Sequence, residues 1–230
     1  MKRITVTVLM VIFCFTSINS MAQKKKEFAG TVTFSIKYEG DIDPQKLANA
    51  PTSLTYLVAG NNTKLTINGQ GYVQHVVSLG DSSQELTIID HPMQQLIIKK
   101  SKEDFEEERE YRKYTITPSD ETKTICGYVC KRYDVSIENI EDDSETKIIC
   151  FTTEEIGLDE RINFDVPGLK GYPLYQEQMI GDIKIINEAV EVKKKKIKPV
   201  EFLMPANFTV ITYDEYIEAV RKAAQEQEDF

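Results

Sequence analysis

The sequence predicts a mainly β fold, an antiparallel meander with few helices, and three observations lead to this prediction. Polar and apolar residues alternate along most of the chain, as in the run from Thr31 to Tyr38, whose apolar residues fall on one face of a strand. Sequences that favour tight turns, such as Asn68-Gly69, separate these runs. Helical periodicity is scarce, so the strands are expected to follow one another through hairpins and not through βαβ units.

Ten runs show this alternation and are the predicted strands. They cover residues 31–38, 54–58, 64–67, 71–79, 85–89, 94–99, 111–116, 128–137, 146–152 and 182–192. Two short helices are predicted between strands, at Pro44–Asn49 and Lys102–Glu110. The chain has no internal repeat and no Pro-rich or Ser-rich linker, so residues 23–230 are predicted to form a single β-rich domain.

The strongest helix signal lies near the C-terminus. Thr212 followed by Glu215 is a capping-box sequence, in which each side chain bonds the backbone N–H of the other residue. Apolar residues recur after it at helical spacing: Tyr213, Ile217, Val220 and Ala224. A C-terminal helix that begins after Thr212 is therefore predicted.

Residues 1–22 have the pattern of a cleaved signal peptide. A basic start precedes an almost wholly apolar run at 4–15, and Ala22 ends a site of small residues. The run is shorter than the ~20 residues that cross a hydrocarbon core, so no transmembrane anchor is predicted. A lipoprotein anchor at Cys14 is disfavoured because the bulky Phe13 precedes it. We expect cleavage after Ala22 and a periplasmic or secreted protein.

The charge and the side-chain inventory exclude several classes of function. The 28 Lys+Arg residues are outnumbered by 37 Asp+Glu residues, and the net charge of −9 has the wrong sign for binding nucleic acid. The chain has only two His residues, and its acid-rich stretches lack the EF-hand order, so neither a metal nor another cofactor is predicted. Neither His75 nor His91 belongs to a catalytic motif, and a non-enzymatic protein is predicted.

Three cysteines remain after removal of the signal peptide, and the predicted strand register pairs two of them. Folding the strands 128–137 and 146–152 about Ile140 places Cys130 opposite Cys150 on one face, at a separation that a disulfide can bridge. Export to an oxidising compartment favours the bond. We therefore predict a Cys130–Cys150 disulfide with Cys126 free. The alternative is that all three are reduced packing residues.

The segment around Cys130 resembles a family of exported domains of unknown function common in Bacteroidetes-type bacteria. Its K-x-I-x-G-Y-x-C-x-x-Y pattern is matched here by Lys123, Ile125, Gly127, Tyr128, Cys130 and Tyr133. The likeness extends to residues 30–38, 171–174 and 202–205. Such domains are similar to the LolA-type lipoprotein-carrier fold. The resemblance implies an antiparallel sheet curled into an incomplete, half-open barrel around an apolar cavity.

The residues expected to point into such a barrel form the predicted site. They are apolar, with one imidazole among them: Phe34, Ile36, Tyr56, Val58, His75, Val77, Ile88, Ile98 and Tyr133. Helices with neighbouring strands, the sheet folded over onto itself, or a bound apolar ligand would cover them, and the scarcity of predicted helices makes a ligand-binding cavity possible. We expect an envelope protein whose partner is a lipid, an acylated chain or a lipoprotein. Two alternatives stay open: a module that docks another envelope protein by a strand edge or its acidic surface, and a hydrolase whose site the sequence does not reveal.

Overall fold

The computed structural model describes residues 27–69, 72–80, 82–156 and 166–228, which form one large β-sheet with three α-helices. The strands are β1 (Ala29–Glu39), β2 (Ser53–Ala59), β3 (Asn62–Gly69), β4 (Tyr72–Leu79), β5 (Gln84–His91), β6 (Gln94–Lys100), β7 (Arg112–Ile125), β8 (Tyr128–Asn139), β9 (Glu145–Thr153), β10 (Tyr172–Ile180), β11 (Ile183–Lys194) and β12 (Thr209–Thr212). The helices are α1 (Pro44–Asn49), α2 (Lys102–Glu110) and α3 (Tyr213–Glu228). The predicted signal peptide, residues 1–22, lies outside the described residues.

The twelve strands form a single open sheet in the order β12-β6-β5-β4-β3-β2-β1-β11-β10-β9-β8-β7. Every neighbouring pair is antiparallel except β12 and β6, which run parallel and make the sheet mixed. The mainly β class is therefore confirmed, and two antiparallel meanders, β1–β6 and β7–β11, make up most of the sheet. The three helices are confirmed as well, and Thr212 and Glu215 exchange the two hydrogen bonds of the predicted capping box. Strands β10 and β12 and the second half of β7 were not predicted.

The sheet must curl, because its two ends are joined by a short connection. Ten strand spacings separate β6 from β7 in the sheet order. In a flat sheet that distance is about 48 Å at ~4.8 Å per strand. The chain nevertheless passes from β6 to β7 through α2 alone, and the nine residues of that helix rise only about 14 Å. The sheet is thus a half-open barrel, with its gap between β7 and β12 and with α2 beside that gap.

Lys100, the last residue of β6, holds both helices beside the gap. Its Nζ lies 2.6 Å from Oε2 of Glu108 in α2 and 4.5 Å from the ring centroid of Tyr213, the first residue of α3. The Tyr213 hydroxyl donates a hydrogen bond of 2.7 Å to Glu108 Oε1. The Lys100 side chain is 14% exposed, so water screens this cluster only weakly. Burial and the bond to Glu108 raise the pKa of Tyr213 to about 12.

The outer face of β4–β6 is covered by the segment that precedes β12. Val77, Leu86, Ile88 and Ile97 form a buried cluster with Phe202, which belongs to a 3-10 helix at Pro199–Phe202. Strand register places these residues of β4, β5 and β6 on one face, because Val77 pairs with Leu86 and Ile88 pairs with Ile97. The apolar residues on this face are therefore part of an ordinary core.

The tip of the β7–β8 hairpin folds over the outer face on the other side of the sheet. Lys123 of β7 lies 2.8 Å from Glu188 of β11 and 4.4 Å from the ring centroid of Tyr175 in β10. The Cys126 thiol at the tip donates to the backbone oxygen of Ala189, 3.3 Å away. Because β9 and β10 lie between β8 and β11 in the sheet order, these contacts require the hairpin to bend across two strands.

Replacing Tyr213 by Phe tests how firmly α3 is held beside the gap. We expect the free energy of unfolding in urea to fall by about 1 kcal/mol, because the partly buried Glu108 carboxylate loses a hydrogen-bond donor. Tyr216→Phe, one turn further along α3, is the matched control: the Tyr216 hydroxyl makes no hydrogen bond to any described residue, and its removal is expected to change the free energy of unfolding little.

The pH dependence of the same variant provides a second measurement. The pKa of Tyr213 is raised in the folded protein, so its neutral form stabilises the fold below pH 10, and this contribution is lost as the pH rises through about 12. The stability difference between wild type and Tyr213→Phe should therefore shrink over that range. A difference that stays constant to pH 12 would contradict the assignment.

Candidate functional site

The inner face of the curled sheet encloses a cavity of about 300 Å³, here called the inner cavity. Most of its lining is apolar and comes from both sides of the barrel. These lining residues are Phe34, Leu54, Tyr56, Leu65, Val76, Val166, Leu169, Tyr172 and Pro173. The cavity touches residues from β5 to β10, which a flat sheet would hold about 29 Å apart at ~4.8 Å per strand. Its existence therefore depends on the curl of the sheet.

The polar residues of the inner cavity are few and lie at separate places on its wall. They are Thr63, Ser78, Glu85, Gln176 and Asn187. The Ser78 hydroxyl donates to Glu85 Oε2 at 3.2 Å, and Gln176 of β10 pairs with Cys150 of β9 in the strand register. Oδ1 of Asn187 is buried without a hydrogen-bond partner among the described residues. An apolar pocket with a few polar groups is typical of sites for small ligands.

Residues 166–173, here called the covering segment, close the inner cavity from the side of β8–β10. Val166 and Leu169 are almost fully buried against Val135, Ile148 and Cys150. A hydrogen bond of 2.6 Å from the Thr152 hydroxyl to the Lys170 backbone oxygen fixes the segment to β9. Its last two residues, Tyr172 and Pro173, are the first two residues of β10.

Tyr172 lines the inner cavity and is almost completely shielded from solvent. This residue follows directly after the covering segment's tight bend, and its side chain is 5% exposed. Burial raises the pKa of its hydroxyl well above the ordinary value for tyrosine. The neutral phenol is thus the form that faces any bound molecule.

The structure divides the predicted cavity residues between the two faces of the sheet. Phe34 and Tyr56 line the inner cavity. The strand pairings place four more on the inner face although they do not line the cavity: Ile36, Val58, Ile98 and Tyr133. The remaining three, His75, Val77 and Ile88, lie on the outer face, and for these the prediction was wrong.

The error at β4 and β5 has a simple cause. Val76 and Val77 are both apolar, so alternation alone does not say which of them points inward. Val77 is fully buried in the outer cluster with Phe202, and Val76 lines the cavity instead. His75, which is on the outer face, shares a 2.9 Å hydrogen bond with the Thr66 hydroxyl. Burial, with the charge of Lys64, lowers the pKa of His75.

Several residues of the site were missed from the sequence. Gln176 belongs to a strand that was not predicted, and Val166 and Leu169 lie in a segment with no periodic pattern. The run Gly171-Tyr172-Pro173-Leu174 was singled out by the family resemblance, and this was the available signal for that part of the wall.

The predicted Cys130–Cys150 disulfide is wrong: Cys126, Cys130 and Cys150 are all free thiols. Cys150 pairs with Tyr133, and Cys130 pairs with Lys123 on the other side of β8. The register thus differs from the prediction by three residues. An odd shift places the two cysteines on opposite faces of the sheet.

The turn between β8 and β9 explains this register. The predicted hairpin turns about Ile140, whereas the backbone N–H of Asn139 bonds the oxygen of Ser144 and leaves residues 140–143 as the loop. Asp143 in this loop has a φ of 54°, a left-handed conformation that Asp tolerates better than most residues. The centre of the hairpin therefore lies beyond Ile140.

Comparison with known proteins gives no assignment: no protein-family model matches the chain, and no curated protein matches its sequence. The family resemblance therefore stays a prediction. Within the described residues, no helix has the length and apolar character needed to cross a membrane.

A substitution at Gly171 tests how much the bend of the covering segment contributes to the stability of the fold. Its φ is +77°, and a Cβ added there would lie 2.8 Å from the backbone oxygen of Thr153. We expect Gly171→Ala to lower the free energy of unfolding by about 3 kcal/mol, from a left-handed backbone and a clash that neither strand can relieve easily. Gly181→Ala is the matched control, since Gly181 also has a positive φ but no atom within 4 Å of the added Cβ. Equal losses in urea denaturation would contradict the clash.

Alkylation of the native protein tests the thiol assignment. Burial raises the pKa of Cys130 to about 11 and that of Cys150 to about 12, so both are protonated and covered at pH 8. We expect iodoacetamide to modify Cys126, which is exposed, and to spare the other two. In urea without reductant all three should react. A peptide map that contains Cys130 linked to Cys150 would contradict the assignment of free thiols.

Proposed function

We propose that this protein is an exported envelope protein that binds one apolar chain, from a lipid or an acylated molecule, in the inner cavity. The observation that carries the proposal is an apolar cavity of about 300 Å³ inside a half-open barrel, closed on one side by the covering segment. Export rests on the sequence of residues 1–22, and the binding rests on the cavity.

The size and lining of the cavity favour a slender ligand. Pockets for small molecules have volumes of about 300–1,000 Å³, so this one is at the lower end of that range. A single hydrocarbon chain contacts apolar walls along its whole length and needs no polar partner. The unpaired Oδ1 of Asn187 offers one acceptor beside the cavity for a polar group of the ligand.

The open, curled sheet around an apolar cavity also supports the resemblance to LolA-type carriers. That fold is an incomplete barrel of antiparallel strands around an apolar cavity. Two cavity residues connect the site to this resemblance. Phe34 belongs to residues 30–38, which carry the likeness, and Tyr56 belongs to β2, the strand paired with β1. Their rings lie 5.6 Å apart in an edge-to-face contact and form one wall.

The alternatives find less support. Strand addition needs a free edge, and the edge strand β7 contains Pro118 and a break in register between Pro118 and Thr122. The other edge strand, β12, has only four residues. For a hydrolase acting on a ligand in the cavity, His75 is on the wrong face of the sheet.

Binding of the neutral apolar dye N-phenyl-1-naphthylamine tests the proposal. We expect saturable fluorescence enhancement with the wild-type protein and at least a tenfold loss of affinity in Val76→Phe, because the added ring occupies the cavity. Val129→Phe is the matched control, since Val129 is 59% exposed on the β7–β8 hairpin. Thermal unfolding should show that Val76→Phe still folds, as the ring enters existing space.

Organic extraction of the protein purified from cells, followed by mass spectrometry, provides a second test. We expect a stoichiometric lipid or acylated molecule that is reduced in Val76→Phe. A protein that carries no lipid and binds the dye equally well in both variants would refute the proposed function.

A further inference from the structure

A second cavity of about 470 Å³, here called the mouth cavity, adjoins the inner cavity on the same face of the sheet. The two share Val166 and Gln176 as lining residues. The mouth cavity extends towards the β8–β9 hairpin, where Asn139 and Ser144 contribute to its wall. The two cavities are therefore neighbours that meet at these two side chains.

The mouth cavity differs from the inner cavity in chemistry. Its wall contains amides and hydroxyls together with one charged side chain: Arg112, Asn139, Ser144, Thr146, Gln176 and Gln178. Arg112 pairs with Asn139 at the start of β7, which places both on the inner face with Ile137. The guanidinium group offers five donors and retains its charge at all physiological pH values.

The charge of Arg112 is available for a ligand. Among the described residues, no carboxylate lies within ion-pair distance of its guanidinium; its charge contributes only weakly to lowering the pKa of Glu108. That carboxylate is already bound by Lys100 at 2.6 Å and by the Tyr213 hydroxyl at 2.7 Å. Lys113, the next residue along β7, is paired with Glu138 instead.

We propose that the ligand is a single-chain amphiphile with an anionic headgroup, either carboxylate or phosphate, whose chain fills the inner cavity and whose headgroup binds Arg112 in the mouth cavity. This inference rests on the proposed function and adds the chemical class of the ligand. The amides of Asn139 and Gln178 supply further donors for headgroup oxygens.

The chemistry of the two cavities sets the direction in which such a ligand lies. The mouth cavity carries the guanidinium of Arg112, whereas most of the inner cavity wall is apolar. An ionised headgroup loses more free energy of hydration against an apolar wall than beside an opposite charge. The two cavities thus favour a single orientation, with the headgroup at the mouth.

Competition against the dye with a series of ten-carbon ligands below their micelle concentrations tests the inference. The series is decanoate, decyl phosphate, decanol and decyltrimethylammonium. We expect both anions to bind about tenfold more tightly than decanol, and the cation to bind more weakly than decanol. Inorganic phosphate alone should not displace the dye, because it lacks the chain; displacement by phosphate would identify a simple anion site and overturn the inference.

Two variants then assign the preference to a residue. Arg112→Gln should bring the affinity for decanoate and decyl phosphate down to that for decanol, and leave decanol unchanged. Lys113→Gln removes the same charge from the adjacent position, which faces the other side of the strand, and should leave the series unchanged. Arg112→Lys should keep most of the preference for the phosphate.

The outcomes separate this inference from the proposed function. Equal affinity of the wild type for anions and decanol, or equal effects of Arg112→Gln and Lys113→Gln, overturns the headgroup assignment while apolar binding stands. No displacement of the dye by any ten-carbon ligand overturns both.

Discussion

The short connection between β6 and β7 is the constraint on which the rest of the structure depends. A twelve-stranded sheet with ordinary strand spacing is far wider than α2 is long, so the chain closes only if the sheet curls. Curling separates an inner face from an outer face and brings β5 and β10 to opposite walls of one cavity. The Lys100–Glu108–Tyr213 cluster lies where this closure is made. Its low exposure makes its charge and hydrogen bonds effective in holding the helices there.

The two faces of the curled sheet are covered in different ways, and this difference leads to the functional proposal. On the outer face, Phe202 and the segment around it bury the apolar residues of β4–β6, while the β7–β8 hairpin tip folds over β10 and β11. On the inner face, the covering segment protects only one side. Apolar residues such as Phe34 and Val76 consequently remain around a cavity. In the function that we propose, a hydrocarbon chain fills this cavity and completes the burial of these residues.

For several residues of this protein, the face of the sheet on which the side chain lies decides its contacts more than the residue type does. Cys130 and Cys150 are both fully buried, yet a register shift of three residues puts them in separate hydrophobic clusters. In the same way Arg112 faces the mouth cavity while its neighbour Lys113 is paired with Glu138. The two residues carry the same charge, and the strand places them on opposite faces. A loop of one more or one fewer residue would exchange such roles.

The sequence by itself determined the mainly β class, the positions of ten strands and the three helices. These depend on local alternation, turn residues and capping pairs, which are all read within a few residues. Only the tertiary structure decided which face of each strand points inward, as His75, Val77 and Ile88 illustrate. Where both faces of a sheet are covered, apolar residues occur on both faces. The alternation of polar and apolar residues then no longer shows which face points inward. The cavity wall at Gln176 and Leu169, like the register of Cys150, depends on loop geometry and on contacts between residues far apart in the chain.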